Sequence, residues 1–500
     1  MDLVEDALVH SALPLLAVLL PIVGAGIVPA LGRGSERVRH VALLTICSAT
    51  AVLALWFVPG ALAGDVREVY LLRVTPQIWL HLRVDALGVL FGATVAVLWL
   101  IVLIYSIPFM TDSHRLRRFY SFLMLCLGCM MGVAYAGNLL TFLIFYELFS
   151  ILTYPLIVHE ETPAALAAGT KYIVYILIGG SLVLVGVVFT FFIAGEQTLA
   201  AGGVLSSDMD GGALRAIFWC FIAGFGVKAA LVPLHGWVPD AHPAAPAPFS
   251  AILSGVMVAA GTFGIARVVF QVFGVEVLSQ LGVMPYVAAL AALTVLFAAV
   301  LAVNQDGIKR RLAYSTISQM GYVTLGISLL GPGAAVGALV HITNHAFMKG
   351  ALFLCAGLLS KHAGIRNVSE ISGAARRMPW TMAMFSIASL GMIGTPPLAG
   401  FIGKWYLGLG ILDAGRPFYL IVLLGGSLIA AVYLLPIIYR AYFGQPPSAS
   451  ARCPDEREAP TSVLAPALIT TLLTIVLGLA ATVPGSPLSL AQQAVDSFFR

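Results

Sequence analysis

Apolar residues run along this chain in blocks of about twenty, each closed by a short polar segment. The blocks lie near residues 12–31, 41–60, 86–107, 119–136, 138–158, 167–194, 213–234, 247–271, 285–304, 312–331, 333–359, 379–412, 417–441 and 462–484. Roughly 20 apolar residues wound as an α-helix cross the hydrocarbon core of a bilayer. The pattern therefore predicts an all-α, polytopic membrane protein with about fourteen transmembrane helices. The seventh and twelfth blocks carry Pro and Gly in their interiors, which predicts two broken helices. Hydrocarbon does not tolerate unpaired backbone groups, so such breaks are buried in protein or line a wet cavity.

Composition narrows the class. Of the 500 residues, 60% are hydrophobic and 10% charged, and the mean hydropathy is +0.98. A soluble domain is about one quarter charged, so these polar residues could not cover a water-facing surface. The net charge of +4 gives no reason to expect nucleic acid. The opening MDLVEDALVH is acidic, unlike the basic start of a signal peptide, so the first block is expected as a retained helix. Five of the six cysteines, Cys47, Cys126, Cys129, Cys220 and Cys355, sit in apolar blocks, with Cys453 outside them. The Cys126/Cys129 CxxC has no second pair, and these residues read as small core side chains. Neither a metal site nor a cofactor motif is expected.

Charge sets the expected orientation. Odd-numbered loops hold 17 Lys and Arg: Arg33, Arg37, Arg39, Arg115, Arg117, Arg118, Lys171, Lys309, Arg310, Arg311, Lys361, Arg366, Arg376, Arg377, Arg440, Arg452 and Arg457. Even loops, helix ends and the C-terminus hold seven: Arg67, Arg73, Arg83, Arg215, Arg267, Arg416 and Arg500. The excess predicts odd loops in the cytoplasm and both termini outside.

Three lysines remain, Lys228, Lys349 and Lys404, all inside apolar blocks together with one carboxylate, Glu147. A charge at mid-membrane costs at least about 2.5 kcal/mol, and such residues usually mark ion or proton paths. In general, burial drives an amine toward its neutral form and a nearby carboxylate drives it back. A Glu147–Lys228 pair would thus be a tunable proton holder; a static ion pair that fixes helix packing is the alternative. In HITNHAFMKG, His341, His345 and Lys349 follow at i, i+4 and i+8 on one helix face, about 6 Å apart along the axis. Imidazoles pass protons near neutral pH, so this stripe reads as a proton relay. Lys228 and Lys404 each stand beside a helix break, which points to an internal repeat with an ion site at each break. The expected organisation is N-terminal transmembrane helices over 1–110, a five-helix repeat over 119–271, a second, inverted one over 285–441, and a last helix over 462–484. His235, Asp240 and His242 cluster after the first break. They read first as hydrogen-bonding caps of the broken ends; the alternatives are a cytoplasmic proton entry, for which His235 is the best candidate, or a metal site. DGIKRRLAYSTISQMGY reads as a cytoplasmic anchor and CPDEREAP as a solvated surface.

From about residue 80 to 440 the chain resembles the antiporter-like proton-translocating subunits shared by Mrp cation/proton antiporters, respiratory complex I and membrane-bound hydrogenases. The Glu147 helix, K-x4-PLHGWVPDAHP, IKRRLAYSTISQMGY, HITNHAFMKGALFL and the broken segment ending GKWY carry the resemblance. The stretch from Arg377 to Gly410 looks most like the D subunit of Mrp antiporters. The resemblance implies two inverted five-helix repeats and a glutamate partnering a lysine, matched by Glu147 and Lys228. It also implies a midplane polar line ending on the second broken helix, matched by His341, His345, Lys349 and Lys404. It implies a bacterial-type plasma membrane, other membrane subunits as partners, and protons with Na⁺ or K⁺ as cargo. The alternative it allows is a pump module of a redox complex, whose cofactors would sit on partner chains. One departure stands out: the family often has a lysine in the eighth span, where SGVMVAAGTFGIAR places Ala259. Water bridging that gap, a weakened central link, or a non-conducting scaffold are the readings it leaves open.

Overall fold

The computed structural model describes residues 8–30, 36–74, 78–195, 198–445 and 458–499. Arg33, Arg452, Arg457, Arg500, Cys453 and the acidic first residues lie outside the described residues.

Among the described residues, seventeen principal helices follow one another, short turns of helix aside. They are α1 Leu13–Ala30, α2 Glu36–Trp56, α3 Ala86–Phe109, α4 Leu116–Ala134, α5 Leu139–Ile157, α6 Pro163–Ala194, α7 Gly211–Lys228 and α8 Val238–Ala244. Next come α9 Ala247–Leu281, α10 Met284–Val303, α11 Ile308–Ser328, α12 Pro332–Ala363, α13 Pro379–Ile393 and α14 Ala399–Asp413. The last are α15 Phe418–Phe443, α16 Thr461–Leu479 and α17 Pro487–Phe498. Among the described residues, eleven helices are long and apolar enough to cross a membrane. The protein is a multi-pass membrane protein.

Local chemistry sets the helix ends. Asn138 Oδ1 accepts from Thr141 N at 2.8 Å to open α5, and Thr162 Oγ1 accepts from Ala165 N at 3.1 Å to open α6. Each bond satisfies one of the first-turn N–H groups that a helix leaves without an internal partner. Proline occupies the first turn of α6, α10, α12 and α13, where its missing N–H costs nothing.

Both predicted breaks are present. α7 stops at Lys228 and the chain resumes as α8; α13 stops at Ile393 and resumes as α14. Gly394, at φ +101°, turns the chain out of α13, a conformation L-residues rarely adopt. α9 is helical throughout but carries two π-helical stretches, Leu253–Met257 and Val268–Phe273.

α9 and α12 are buried along their apolar windows, whereas α2, α6 and α16 are buried over less than half of theirs. The two run through the centre of the molecule. Large apolar side chains such as Phe189, Phe192, Leu424 and Leu428 are exposed on the periphery, as lipid contact requires.

Cross-loop bonds tie the odd loops to one end. Lys361 Nζ meets Asp112 at 3.2 Å, Arg118 meets Glu161 at 2.6 Å, and Asp240 takes Lys171 at 2.8 Å and Arg310 at 3.5 Å. The Arg118 hydrogen bond, opposed by desolvation and aided by the Arg115 charge, holds the Glu161 carboxyl below the usual carboxylate range.

Two elements are additions to the sequence reading. A small sheet, β1 Leu8–His10, β2 Val66–Arg73 and β3 Trp79–Val84, pairs β1 parallel and β3 antiparallel to β2. It holds Arg67, Arg73 and Arg83. The amphipathic α17 packs Leu488, Ala491, Val495 and Phe498 inward, with Phe498 stacked on Phe270 at 4.9 Å. At twelve residues it is too short to register as a span.

Arg267 requires a correction. Counted with helix ends, it is 2% exposed inside α9. It is ion-paired with Asp85, hydrogen-bonded to Gln271 Oε1 at 2.5 Å, and donates to Ala134 O at 3.0 Å. Its charge belongs to no loop.

Candidate functional site: a line of buried amines and imidazoles

Lys228 is the last residue of α7 and fully buried. Its Nζ donates to Tyr172 OH at 3.0 Å and Ser150 Oγ at 3.5 Å, and lies 4.3 Å from the Phe149 ring centre. Tyr172 OH in turn donates to Ser150 O at 2.8 Å.

Glu147 lies one turn back along α5 and is half-buried. Its Oε1 is buried without a hydrogen-bond partner. Lys228 is not among the amines within 4.0 Å of a carboxylate oxygen, so the expected direct pair is not made in this structure, and neither is a static ion pair. Glu147 instead fills the space beside Gly180 of α6, where any Cβ would fall on its carboxylate. Glu147 and Lys228 thus stand near each other with α5 hydroxyl and aromatic groups around the amine.

Lys404 sits in the second turn of α14, 7% exposed. Its Nζ donates to Met392 O, Ile393 O and Ser427 Oγ, each at 2.9 Å. The two carbonyls close α13, so the amine caps the negative end of a half-helix. Its acceptors are all neutral, as are those of Lys228. Lys349 is fully buried and donates to Leu312 O at 2.9 Å, again a neutral acceptor.

The histidines join these amines. The Tyr322 ring lies 5.1 Å from Lys404 Nζ and 6.4 Å from the His341 ring. His341 Nε2 shares a 2.8 Å hydrogen bond with Gln319 Oε1, and its ring lies 6.3 Å from that of His345. Both ring nitrogens of His345 lack a hydrogen-bond partner. One turn further stands Lys349. Lys404, Tyr322, His341, His345 and Lys349 are therefore successive neighbours, spaced by ring contacts rather than joined by hydrogen bonds.

His235 is not brought into this line. It is half-buried and its ring packs edge-on to Phe297 at 5.7 Å.

Ala259 is fully buried just past the first π-helical stretch of α9. Hydroxyls line the stretch instead of an amine. Ser254 Oγ and Thr316 Oγ1 are 2.6 Å apart, and Thr262 Oγ1 donates to Ala259 O at 2.9 Å.

Sequence reasoning missed the acceptors Tyr172, Ser150 and Ser427, which carry no distinctive spacing. It also missed Asp85, which caps α3 by accepting from Gly88 N at 2.7 Å and also binds Gln271 Nε2 at 2.8 Å. Burial alone would raise the Asp85 pKa, but the Arg267 guanidinium and these hydrogen bonds hold it below its ordinary value. Among the described residues, no three His, Cys, Asp and Glu side chains gather as a metal site would need.

Residues 136–430, more than half of the chain, match the profile of the family described as NADH:quinone oxidoreductase/Mrp antiporter, TM. The chain belongs to this family. NADH-quinone oxidoreductase subunit N of Desulforudis audaxviator (strain MP104C) is 33% identical, over 93% of this chain and 95% of its own length. The D subunit of the Na(+)/H(+) antiporter of Bacillus subtilis (strain 168) is 29% identical, over 80% of each. Hydrogenase-4 component B of Escherichia coli (strain K12) is also 29% identical, and the chain spans 63% of its length. Among solved structures, a chain of the membrane-bound sulfane sulfur reductase, an archaeal respiratory membrane complex, superposes with a TM-score of 0.88 at 26% identity, over 98% of both chains. A chain of the Mrp complex from Dietzia sp. DQ12-45-1b gives the same TM-score at 22% identity, over 98% of this chain and 99% of its own, a likeness of fold. The chain is thus a membrane subunit of the class found in Mrp-type antiporters and in complex I-like and hydrogenase complexes.

Proposed function

We propose that this chain is the proton-translocating subunit of a multisubunit Na⁺ or K⁺:proton antiporter, corresponding to the D subunit of the Mrp type. The observation that carries it is the state of Lys228, Lys349 and Lys404. Each is buried, and each donates only to hydroxyl or carbonyl oxygen. Ionisable residues inside membrane helices are costly and mark ion and proton paths; amines on neutral acceptors can give up and regain protons.

In this reading Lys228 exchanges its proton with Glu147 on one side and with the hydroxyl-lined stretch around Ser254 and Thr316 on the other. His345 and His341 pass protons between Lys349 and Lys404. Lys404 is the terminal donor at the second break. His235 stands apart and is the weakest member of the predicted set. The fourteen crossings are the eleven apolar helices with α1, α11 and the broken α13–α14 pair. The five-helix repeats span 119–271 and 285–441, inverted to each other, with α7–α8 and α13–α14 as matching broken members. Both termini face outward from a bacterial-type plasma membrane, and other small membrane subunits complete the antiporter.

The test is Lys228→Ala in the assembled complex. Loss of cation-driven proton movement with the complex intact supports the reading; full transport contradicts it.

A second reading, the proton-pumping arm of a redox complex, is favoured by the near full-length likeness to the Desulforudis audaxviator subunit. Affinity capture of the tagged chain in mild detergent separates the two. Small membrane subunits alone support the antiporter, and flavin, iron–sulfur or nickel subunits support the redox pump.

A further inference from the structure

His242 belongs to α8, the short helix that follows the first break. It is 0% exposed, and neither of its ring nitrogens has a hydrogen-bond partner. The sequence suggested that it caps the broken helix. Only its backbone takes that part, since Ser250 Oγ donates to His242 O at 2.8 Å. A buried polar group left without a partner is destabilising, and an apolar ring would fill the same space without that cost.

Its surroundings supply a reason. The ring lies 5.3 Å from that of Phe353, which stands one turn beyond Lys349 on α12. On the other side, Lys309 Nζ donates to Ala245 O at 2.8 Å and reaches Ser250 Oγ at 3.5 Å. Lys349 Nζ is held by Leu312 O at 2.9 Å, and Leu312 is only three residues past Lys309 on α11. One amine therefore sits at the odd-loop rim, half-buried beside the Arg310–Asp240 ion pair. The other is in the interior. His242 is tied to the first amine through Ser250, whose Oγ meets both the His242 carbonyl and Lys309 Nζ, and to the second through Phe353, which shares the Lys349 face of α12.

We propose that Lys309, His242 and Lys349 form a proton inlet that loads the second half of the buried line from the odd-loop face, with His242 as the relay. The Lys309 ammonium releases a proton, through bridging water, to one ring nitrogen of neutral His242. The imidazolium releases the proton on its other nitrogen to the Lys349 amine. Lys349 becomes an ammonium, His242 is neutral in its other tautomer, and Lys309 takes a new proton from the aqueous rim. One proton moves inward and no other bond changes. Lys349 is met at Leu312, one turn before Thr316 on α11, so the second half need not be fed through the hydroxyl-lined stretch.

The inference rests on the proton-translocation reading, and the test keeps the two apart. The tagged complex is purified with its partners, reconstituted into liposomes, and proton flux is followed with a pH-sensitive dye. His242→Gln and Lys309→Gln are each expected to assemble and to slow flux at least about tenfold, the low end of what a positioned proton-transfer group contributes. Added imidazole is expected to restore part of the flux to His242→Ala, an effect that a packing role would not show. Wild-type flux in His242→Gln, beside an inactive Lys349→Ala, overturns the inlet and leaves the wider reading standing. Slow flux in His242→Ala that imidazole does not raise assigns the ring to packing and also overturns it. Wild-type flux in both Lys349→Ala and Lys228→Ala overturns the reading beneath. If His242→Gln fails to assemble, Lys309→Gln decides: slow flux supports the inlet and wild-type flux overturns it.

Discussion

Asp85 and Arg267 are 182 residues apart in sequence yet ion-paired inside the molecule. Removing one partner of a buried pair leaves the other uncompensated, at about 3–5 kcal/mol, and Asp85 also caps α3. Asp85→Ala is therefore expected to lower the melting temperature of the detergent-solubilised complex markedly, read by tryptophan fluorescence. The Asp85 pKa is held below its ordinary value. The sign follows: its stabilisation is full above the usual carboxylate range and is lost as pH falls through the lowered value. Acid should narrow the difference between wild type and Asp85→Ala; a gap that widens on acidification contradicts the assignment. The pair was illegible in the sequence for a plain reason. Asp85 lies just before an apolar block and Arg267 near the end of one, so each reads as a flank. Lys228, Lys349, Lys404 and Glu147 were legible because each interrupts a block from within, where a charge has no bland explanation. Their acceptors were not, because a tyrosine or serine in a membrane helix is ordinary.

At the scale of elements, the helix breaks carry the chemistry. Gly394 holds φ +101° at the end of α13, and a Cβ there would come within 2.9 Å of Lys404 Cδ. Gly394→Ala combines backbone strain of about 1–2 kcal/mol with pressure on the lysine stem. Transport is expected to fall sharply. Gly415, also at positive φ (+64°) but with nothing near its Cβ position, is the control. Gly415→Ala should retain transport, and equal losses in both variants would show that strain alone is responsible. The breaks were readable because Pro and Gly inside an apolar run have few other meanings. The β-sheet and α17 were not. The strands are short, and α17 gains its stability from packing on its neighbours rather than from apolar length. The π-helical stretches of α9 have no sequence mark at all, although the first ends beside Ala259.

At the scale of the whole molecule, buried amines stand at two breaks on either side of α9 and α12, the helices buried along their length, and the proposed path joins them through α9, α11 and α12. The alternation of charged loops was legible because membrane insertion acts on it directly, and the bonds joining odd loops at one end agree with that alternation. What apolar periodicity does not carry is which amine meets which acceptor, since that depends on helix rotation. The distances decide it here. The Glu147–Lys228 contact expected from the resemblance is not made, while Lys404 Nζ and the Tyr322, His341 and His345 rings follow one another at 5.1, 6.4 and 6.3 Å. A path of this kind works only if its terminal amine titrates. The most direct test is proton flux through the reconstituted complex under an imposed Na⁺ or K⁺ gradient, comparing wild type with Lys404→Ala. The account predicts that the variant assembles normally and loses the cation-driven flux. Undiminished flux in Lys404→Ala would contradict the claim that protons run along this line.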